Sequence, residues 1–373
     1  MNKLDSLTKE LILKYPFYKD YAKGASVSFF DLPLTDKKLI TMRRNEFEIL
    51  KGEVNESYTS GSTGTPFHCI KSKEEQLSLA FSLYKHRRKW GLPFKNHSLL
   101  LSNRVLEEEH ALSHYTKQVV NKEPHMIQGR ASALYQLALY IQRNEIQLKN
   151  ENLLFIQNWG EPLSEKQIRV VQEVFDVPVV DYYGLEELWC IAFTNEDGDL
   201  EIDEHVHVEI INPETLKAAS EGEYGEIVVT SFIMKSIPFV RYRTGDIGKI
   251  EENKQGKKIL TLFPIRHSHV IKLKDRNVNA SIFRYLDSFF FQLTNQGITQ
   301  YQIVQQSLIE LCFQYIGTVK DKTFIEKKLN EFVRSHLGSE MRISVQEVDE
   351  LVHDPISGKT HVFIELPHEE ISV

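Results

Sequence analysis

The sequence lacks several features that would indicate a specialised class of protein. Its three cysteines, Cys69, Cys190 and Cys312, lie far apart and form no Cys-x-x-Cys pair, so a disulfide framework or a zinc ribbon is not expected. No apolar run approaches the roughly 18 residues that a bilayer span needs, and the N-terminal residues have no signal-peptide core. We therefore expect a cytoplasmic protein without a membrane span.

The chain also lacks an excess of basic residues. Its 373 residues have a formal net charge of −7, whereas proteins that bind nucleic acid usually carry a basic patch or stripe. We therefore expect no nucleic-acid partner, and a negatively charged substrate would need a local positive site. A chain of this length is expected to form at least two domains or subdomains.

A loop rich in glycine and hydroxyl side chains stands out near the N-terminus. Residues 58–66 read Tyr-Thr-Ser-Gly-Ser-Thr-Gly-Thr-Pro. Glycines let main-chain N–H groups approach a ligand closely, and hydroxyls beside those amides suit a polyphosphate. The same composition is typical of a flexible surface loop, so composition alone leaves both interpretations open.

Helical periodicity is clear on both sides of this loop. Residues 5–21 read as a helix that Pro16 breaks or restarts, and residues 73–90 read as an amphipathic helix ending in basic residues. On the second helix one apolar face is shared by Leu77, Ala80, Phe81 and Tyr84. Such a face normally packs against the protein core.

The strand patterns predict two kinds of sheet. Strands at 153–156 and 177–183 enclose a helix at 164–175, an alternation that implies a parallel sheet with helices packed on it. Ligands of such sheets bind beyond the carboxyl ends of the strands. Residues 200–211, 225–230 and 250–262 instead predict antiparallel strands.

Together these patterns predict an α/β protein with two domains. The large N-terminal domain, residues 1–265, combines mixed sheets with flanking helices. The small C-terminal domain, residues 266–373, is predicted to be α+β, with helices at 281–293 and 321–337, a hairpin at 301–315 and a strand at 341–348. We expect this small domain to be mobile and to carry the loop that contains Lys359.

Several further polar segments follow the loop in a fixed order. They are Gly160-Glu161-Pro162, Tyr183-Gly184-Leu185-Glu186-Glu187, Arg241-Tyr242-Arg243-Thr244-Gly245-Asp246, Arg266 and Ser357-Gly358-Lys359. Each alone is a weak signal. In this order they resemble the adenylate-forming superfamily of acyl-CoA ligases and nonribosomal adenylation domains, most of all its phenylacetate-CoA ligase and CapK-like branch. The resemblance extends from about Tyr15 to Phe363.

The resemblance implies a reaction in two steps. ATP with Mg²⁺ and a small carboxylic acid give an acyl-adenylate and pyrophosphate. Aromatic residues in the expected pocket favour an aryl acid. The acyl group then passes to CoA, a carrier-protein thiol or an amine. The implied cofactors are therefore ATP and Mg²⁺, with CoA as one candidate acceptor.

The resemblance also implies which residues contact the nucleotide. The residues that correspond to those contacting the β- and γ-phosphates are Thr59, Ser60, Gly61, Ser62, Thr63 and Gly64. The segment lining the adenine corresponds to Gly160, Glu161 and Pro162, and the aromatic residue against the purine, with its neighbouring glycine, corresponds to Tyr183 and Gly184.

Four charged residues complete the implied site. Glu187 corresponds to the acid that holds Mg²⁺, a hard cation suited to carboxylate and phosphate oxygens. Asp246 corresponds to the acceptor for both ribose hydroxyls, and Arg266 to an arginine near the hinge that reaches the nucleotide. Lys359 corresponds to the catalytic lysine that bridges the attacking carboxylate and the α-phosphate in the transition state.

The chain departs from the family pattern at several positions. Phe67 stands where many members have lysine, and Glu186 where most have serine or threonine. In the border segment Ile265 precedes Arg266 in place of glycine, and His269 stands in place of an Asp or Lys hinge. Because this segment helps to build the thioester-forming conformation in the family, the resemblance predicts adenylation and leaves CoA transfer open.

Other interpretations remain open on the sequence. The short segment between the first two motifs implies a trimmed acyl pocket or one shared in a homodimer. A nucleotide-binding scaffold that has lost turnover would show the same motifs, and Glu186 and His269 are its support. A P-loop phosphotransferase is excluded because the chain has no G-x-x-x-x-G-K-[ST] motif.

Two groups of histidines could be metal ligands but have simpler explanations. Cys190, His205 and His207 have suitable chemistry for zinc, yet the two histidines alternate along a predicted strand, which favours a structural role. His110 and His114 share a helix face without the glutamate of an HExxH motif. We expect these two to lie on the surface or in a pocket wall.

Overall fold

The computed structural model describes residues 2–50, 52–59, 67–101, 109–163, 165–267, 269–293, 295–352 and 360–365. The chain forms two compact units, each built from two stretches of sequence. The first unit comprises Met1–Gly91 and Tyr182–Thr261, and the second comprises Leu92–Asp181 and Leu262–Val373.

The described part of the chain begins with short helices, alternates between strands and helices up to residue 175, and continues mainly as strands. The helices are α1 (Lys3–Lys14), α2 (Pro16–Ala22), α3 (Lys37–Met42), α4 (Arg44–Phe47), α5 (Lys73–Lys89), α6 (Glu109–Lys122), α7 (Ala131–Arg143), α8 (Glu165–Phe175), α9 (Asp287–Gln292) and α10 (Lys322–His336). The strands are β1 (Val54–Tyr58), β2 (His68–Ser72), β3 (Ser98–Leu100), β4 (Met126–Gly129), β5 (Phe155–Trp159), β6 (Val179–Leu185), β7 (Trp189–Thr194), β8 (Leu200–Ile202), β9 (Val206–Ile211), β10 (Gly225–Ser231), β11 (Tyr242–Glu252), β12 (Lys258–Phe263), β13 (Val270–Lys272), β14 (Asn277–Asn279), β15 (Ile298–Ser307), β16 (Glu310–Gly317), β17 (Arg342–Glu347) and β18 (Phe363–Ile364).

The N-terminal helices confirm the predicted break at Pro16. Helix α1 ends at Lys14, and α2 begins at Pro16 itself. Proline suits a first helical position because the missing N–H would have no intrahelical partner there. Asn2 caps α1 by accepting a hydrogen bond from the N–H of Leu4.

Helix α5 has the predicted length, but the predicted apolar face is wrong. Leu77 and Phe81 are 62% and 63% exposed. The buried face is partly polar: Glu75 accepts hydrogen bonds from backbone N–H groups of the 235–236 segment, and Ser82 donates to Asp203 at 2.7 Å. Since polar groups must keep partners when they are buried, these distant acceptors and donors set the rotation of the helix.

The strands of the first unit pair antiparallel, as predicted. The order is β6-β7-β8-β12-β11-β10-β9, and β1 and β2 form a separate hairpin in which Val54 lies opposite Ser72. The predicted strand at 250–262 is wrong because the chain turns within it. The side chain of Asn253 accepts hydrogen bonds from the N–H groups of Gln255 and Lys257, and this turn separates β11 from β12.

The two strands predicted for a parallel sheet at 153–156 and 177–183 correspond to β5 and β6. Strands β3, β4 and β5 pair parallel in that order. Apolar residues of these strands and of α6, α7 and α8 form one core, which includes Ile127, Leu134, Ile156 and Val171. The carboxyl end of β5 leads directly into Gly160.

The C-terminal part of the second unit is α+β. Strands β17, β16, β15 and β18 form a four-stranded sheet in that order, with α10 packed beside β17. The predicted helix at 281–293 is a 3-10 helix over Ala280–Leu286 followed by the short α9. A separate, mobile domain over residues 266–373 stays a prediction.

No helix within the described ranges has both the length and the apolar character that a bilayer crossing requires.

Candidate functional site

The β1–β2 hairpin presents the loop rich in glycine and hydroxyl residues. The N–H of Thr59 donates to the carbonyl of Phe67 at 3.0 Å, and the N–H of Phe67 donates to Oγ1 of Thr59 at 3.1 Å. This pair closes the hairpin around residues 60–66. Predicted phosphate contacts from Ser60 to Gly64 lie outside the described residues, so only Thr59 among the predicted loop contacts is placed.

Phe67 is a core residue and not a loop residue. Its side chain is 3% exposed, its ring packs 6.1 Å from that of Phe239, and the guanidinium of Arg44 lies 6.0 Å from the ring centroid. A lysine ammonium at this position would be buried against aromatic carbon, which is costly without a paired charge. The phenylalanine therefore fits its surroundings.

The turn after β6 fixes the position of the two consecutive acids. The register between β6 and β7 shifts at Tyr183 and Gly184, and Trp189 has a positive φ of 56°, which is unusual for a residue with a bulky side chain. A Cβ on Gly184 would meet the carbonyl oxygen of Trp189 at 2.3 Å. Only glycine therefore permits this close approach.

Glu187 is a buried carboxylate with two donors on one oxygen. Its side chain is 1% exposed, Tyr242 donates its hydroxyl to Oε1 at 2.8 Å, and the ammonium of Lys37 lies 3.0 Å from the same atom. An isolated bridge between Thr35 and Tyr242 holds the start of α3 beside β11, which brings Lys37 to the acid. A buried charge of this kind requires such partners.

Glu186 faces a second lysine. The ammonium of Lys71 lies 3.5 Å from Oε1 of Glu186; the lysine side chain is 2% exposed and the glutamate side chain 45%. Cys69, two residues before Lys71 on β2, lies within reach of both ion pairs. The pKa of the Cys69 thiol is raised to about 12, mainly by burial and secondly by Glu187, while Lys71 acts to lower it.

Asp246 and Tyr183 are brought together from different strands. The hydroxyl of Tyr183 donates to Oδ2 of Asp246 at 2.9 Å. Gly245 has a φ of 77°, a conformation that glycine adopts without strain, and the N–H of Asp246 donates to Oγ1 of Thr244 at 3.0 Å. These contacts fix the phenol ring and the carboxylate relative to each other.

The Gly160-Glu161-Pro162 segment lies in the second unit, after β5. One carboxylate oxygen of Glu161 accepts from the N–H of Ser132 at 3.0 Å and from its hydroxyl at 2.7 Å. Ser132 is in the first turn of α7, where the helix dipole favours a negative charge. Asn158 donates to the carbonyl of Glu161 at 2.8 Å, which orders the turn.

The border segment of the second unit is aromatic and largely buried. His269 packs edge-on against His361 with ring centroids 5.7 Å apart, and Phe363 lies 6.0 Å away. The pKa of His269 is lowered to about 4, mainly by burial and also by the neighbouring His361 and Arg266. Predicted catalytic Lys359 lies outside the described residues.

Within the first unit the structure therefore joins Tyr183 to Asp246, Glu187 to Tyr242 and Lys37, and Glu186 to Lys71. Sequence reasoning missed three of their neighbours. Tyr242 lies inside the Arg241–Asp246 motif that the sequence already assigned to the nucleotide. Its place in the site could therefore have been anticipated. Lys37 and Lys71 carry no motif, and only the tertiary fold brings them to the acids.

The cysteine and histidines considered for zinc are not grouped as a ligand set in the described part of the chain. Cys190 lies instead with His86 and Asp203, with one ligand atom of each within 4.8 Å of the others. His205 bonds through Nε2 to the carbonyl of Cys190 at 2.7 Å, and His207 packs edge-on against Phe29. His110 and His114 are exposed on α6.

Comparison with curated proteins shows similarity to one group of ligases. No protein-family model matches the chain. The phenylacetate-coenzyme A ligase of Pseudomonas putida is 27% identical over 196 residues, which are 51% of this chain and 42% of that protein. Protein CapK of Staphylococcus aureus is 22% identical over 250 residues, 65% of this chain and 54% of that protein. The chain thus spans about half the length of the curated relatives it matches.

Solved structures share the fold over almost the whole chain. A 2-hydroxyisobutyryl-CoA ligase in the postadenylation state, in complex with 2-HIB-AMP, aligns with a TM-score of 0.68 and 14% identity, covering 98% of this chain and 88% of that one. The amide bond synthetase McbA from Marinactinospora thermotolerans aligns with a TM-score of 0.54 and 18% identity, covering 81% and 67%. The chain therefore has the fold of adenylate-forming ligases, and its resemblance to the phenylacetate-CoA ligase and CapK branch is confirmed.

Proposed function

We propose that this chain is an AMP-forming ligase that activates a carboxylic acid with ATP. The carboxylate attacks the α-phosphate, pyrophosphate leaves, and the resulting acyl-adenylate passes its acyl group to a nucleophile. The observation that carries the proposal is the hydrogen bond between Tyr183 and Asp246. These residues lie on different strands, β6 and β11, and the motif order assigns both of them to the nucleotide.

Asp246 is proposed to bind the ribose and to hold Tyr183 in place. A carboxylate offers about four lone-pair sites, so it can keep the hydrogen bond from Tyr183 at 2.9 Å and still accept from both ribose hydroxyls. The same contact would hold the Tyr183 ring against the purine. Gly160, Glu161 and Pro162 are proposed to line the adenine, with Glu161 ordered by its contacts at the start of α7.

Glu187 has the chemistry expected of a magnesium ligand. It is a buried carboxylate beside the phenol of Tyr242 and the ammonium of Lys37, and hard oxygen donors are what Mg²⁺ prefers. When bound, Mg²⁺ would neutralise charge on the phosphate oxygens of ATP. Lys37 shares the same carboxylate oxygen, so metal binding would require its ammonium to release that oxygen or the metal to use the other.

Lys359 is proposed as the catalytic residue of the adenylation step. Its ammonium would hold the attacking carboxylate near the α-phosphate and stabilise the charge that develops in the transition state. Thr59 and the loop residues up to Gly64 are proposed to contact the β- and γ-phosphates, and Arg266 is proposed to reach the nucleotide. All of these groups donate hydrogen bonds or positive charge to phosphate oxygens.

The acceptor is proposed to be CoA, a carrier-protein thiol or an amine. The ligases with this fold include both thioester-forming and amide-forming proteins by name, and the chain's own border segment differs from the pattern that the thioester step uses. The acid is proposed to be small, with an aryl acid as the first to test. A pocket shared by two copies of the chain stays a prediction.

The proposal is tested by acid-dependent exchange of radiolabelled pyrophosphate into ATP. A panel of aryl, fatty and amino acids should include at least one that supports exchange by the wild-type chain. Lys359→Ala should lower that exchange by about a hundredfold or more, while ATP binding measured by calorimetry stays close to wild type.

Absence of exchange with every acid, in protein that still binds ATP, would overturn the enzyme proposal. The nucleotide-binding scaffold would then be the better interpretation. Exchange that survives unchanged in Lys359→Ala would instead remove that lysine from the reaction and leave the ligase proposal standing.

A further inference from the structure

The position that carries a loop lysine in many adenylate-forming ligases is occupied here by a buried aromatic residue. Phe67 packs against Phe239 and beneath Arg44, and its side chain is 3% exposed. The loop next to it is therefore without a cation at that position. If this protein binds a triphosphate, a lysine at another position must supply the positive charge that the loop lysine gives in those ligases.

Strand β2 provides a lysine on the same face, four residues further along. Side chains alternate across a strand, so Phe67, Cys69 and Lys71 point to one side of the hairpin. Lys71 is almost completely buried, with 2% of its side chain exposed. It lies four residues after Phe67, whose N–H donates to Thr59. Burial of a lysine is rare unless a partner compensates its charge.

The partner that faces Lys71 is not a buried acid. Glu186 approaches it only to 3.5 Å, and 45% of the glutamate side chain is exposed. By contrast, Glu187 is 1% exposed and Lys37 lies 3.0 Å from it. Because an exposed carboxylate can be rehydrated easily, the Lys71–Glu186 contact can be broken at lower cost than a contact between two buried groups.

The four groups balance each other in charge. Lys37 and Lys71 supply two positive charges and Glu186 and Glu187 two negative charges, and the thiol of Cys69 lies within electrostatic reach of all four. Such a cluster is neutral without a ligand. A polyphosphate placed there would be attracted by the lysines and repelled by Glu186, so the exposed acid would be the group that moves away.

We propose that Lys71 is the phosphate-binding lysine of this chain, taking the place of the missing loop lysine, and that Glu186 is its counter-ion in the absence of nucleotide. The ligand class is the polyphosphate of a nucleoside triphosphate, or free pyrophosphate, and not the nucleoside. This proposal rests on the proposed function, and it adds a specificity residue to it. It also gives Glu186 a role other than impaired catalysis.

Equilibrium binding of ATP, inorganic pyrophosphate and AMP to the full chain, with Mg²⁺ present, tests this assignment. The variants are Lys71→Met, Glu186→Gln and the double variant Lys71→Met/Glu186→Gln. Lys249→Met is the control, because Lys249 is a half-buried lysine in the same unit with its own partner, Glu251, at 3.0 Å. Circular dichroism checks that each variant is folded.

Lys71→Met and the double variant should bind ATP and pyrophosphate about tenfold to a hundredfold more weakly, the usual size of one charged hydrogen bond. Their affinity for AMP should change by less than about twofold, and the control should match wild type for all three ligands. Glu186→Gln alone should bind pyrophosphate several-fold more tightly, because Lys71 loses a competitor and the ligand loses a repulsive charge.

Wild-type affinity for ATP and pyrophosphate in the folded double variant would overturn the proposal, because Lys71 would then serve only to neutralise Glu186. If Lys71→Met and the double variant did not fold, the half-exposed Glu186→Gln substitution would still decide, and unchanged or weaker pyrophosphate binding would contradict the assignment. Wild-type protein that binds ATP without acid-dependent exchange would overturn the ligase proposal alone and leave the result for Lys71 standing.

Discussion

Two parts of the molecule that were both predicted to contact the nucleotide are built very differently. In the first unit, Asp246 and Glu187 each accept a hydrogen bond from a tyrosine hydroxyl at 2.8–2.9 Å, and Glu187 is also paired with a lysine. In the border segment of the second unit, His269 is packed among aromatic rings, and its Nδ1 is buried with no hydrogen-bond partner within the described residues. The first part is a polar network, and the second is an apolar packing site.

The difference indicates which half of the proposed reaction depends on which part. A polar network that orients carboxylates is what nucleotide binding and adenylation require. The neutral imidazole of His269 packs against the rings around it and stabilises this conformation of the border segment. It carries no positive charge that could bind a phosphate. We therefore expect substitutions in the first part to affect the use of ATP, and substitutions in the second to affect stability and its pH dependence.

The largest expected effect is that of Asp246→Asn. Asparagine keeps the shape but loses the charge and one acceptor, so the apparent Michaelis constant for ATP in pyrophosphate exchange should rise by about a hundredfold, or about 3 kcal/mol. The matched control is Asp199→Asn, a half-buried acid of the same unit between β7 and β8, which accepts a hydrogen bond from Asn253 at 3.3 Å. A change of less than fivefold in Asp246→Asn would show that this carboxylate does not hold the ribose.

Gly184→Ala should disturb the turn that positions the two acids. The new Cβ would meet the Trp189 carbonyl at 2.3 Å, and relief of that contact requires the backbone to move, which should lower the free energy of unfolding by about 2–3 kcal/mol. Chemical denaturation measures the change, with Gly198→Ala as a comparison in open surroundings, where the φ of +87° alone strains an alanine by about 1 kcal/mol. Equal losses in the two variants would contradict the importance of the close approach.

His269 should make stability depend on pH. Because burial lowers its folded-state pKa to about 4 from an ordinary 6.5, the unfolded chain binds the proton first as the pH falls, and stability is lost between pH 6.5 and pH 4. From pH 7 to pH 5 this group alone should cost about 2 kcal/mol of unfolding free energy. His269→Phe should remove that part of the pH dependence, while exchange activity at pH 7.5 stays within about twofold of wild type.

Denaturation of wild type and His269→Phe at several pH values measures this contribution as a difference. Burial also lowers the pKa values of His205 and His207. Their contributions to the pH dependence of stability are present in both proteins and cancel in the difference. The groups that act on His269 directly are His361 and Arg266. Parallel pH curves for the two proteins would show that His269 is not buried in its neutral form.

Tyr183→Phe should have the smallest effect. It removes only the hydroxyl that donates to Asp246 at 2.9 Å and keeps the ring, so the apparent Michaelis constant for ATP should rise about fivefold, or about 1 kcal/mol. Combined with Asp246→Asn, it should add little, because the two residues share one interaction. Full additivity in the double variant would mean that the hydrogen bond does not orient the carboxylate.

The sequence was sufficient for those features that depend on local pattern and motif order. Alternation of strands and helices predicted that β5 belongs to a parallel sheet, and the shorter period after residue 200 predicted antiparallel pairing. Proline at a first helical position predicted the break between α1 and α2. Motif order led to the superfamily, because several weak signals in one order are stronger than any one of them.

The features that it missed depend on contacts between distant segments. Ser82 on α5 bonds to Asp203, 121 residues later, and this contact rotates the helix away from the face that periodicity favours. Lys37 reaches Glu187 because the bridge between Thr35 and Tyr242 holds the start of α3 beside β11. Lys71 lies beside Glu186 although 115 residues separate them in the sequence. The motif comparison treated Phe67 as a departure from the loop pattern. The structure shows it buried against Phe239, a contact that spacing in the chain does not reveal.

The central claim is that the carboxylate of an acid attacks the α-phosphate of ATP. An acid that supports exchange should be prepared with both carboxyl oxygens as ¹⁸O, incubated with wild-type protein, MgATP and an acceptor, and the AMP released should be examined by mass spectrometry. We predict AMP that carries one ¹⁸O atom, because the bridging oxygen of the acyl-adenylate stays with phosphorus when the acyl group is transferred. Release of ADP, or of AMP without label, would contradict the account.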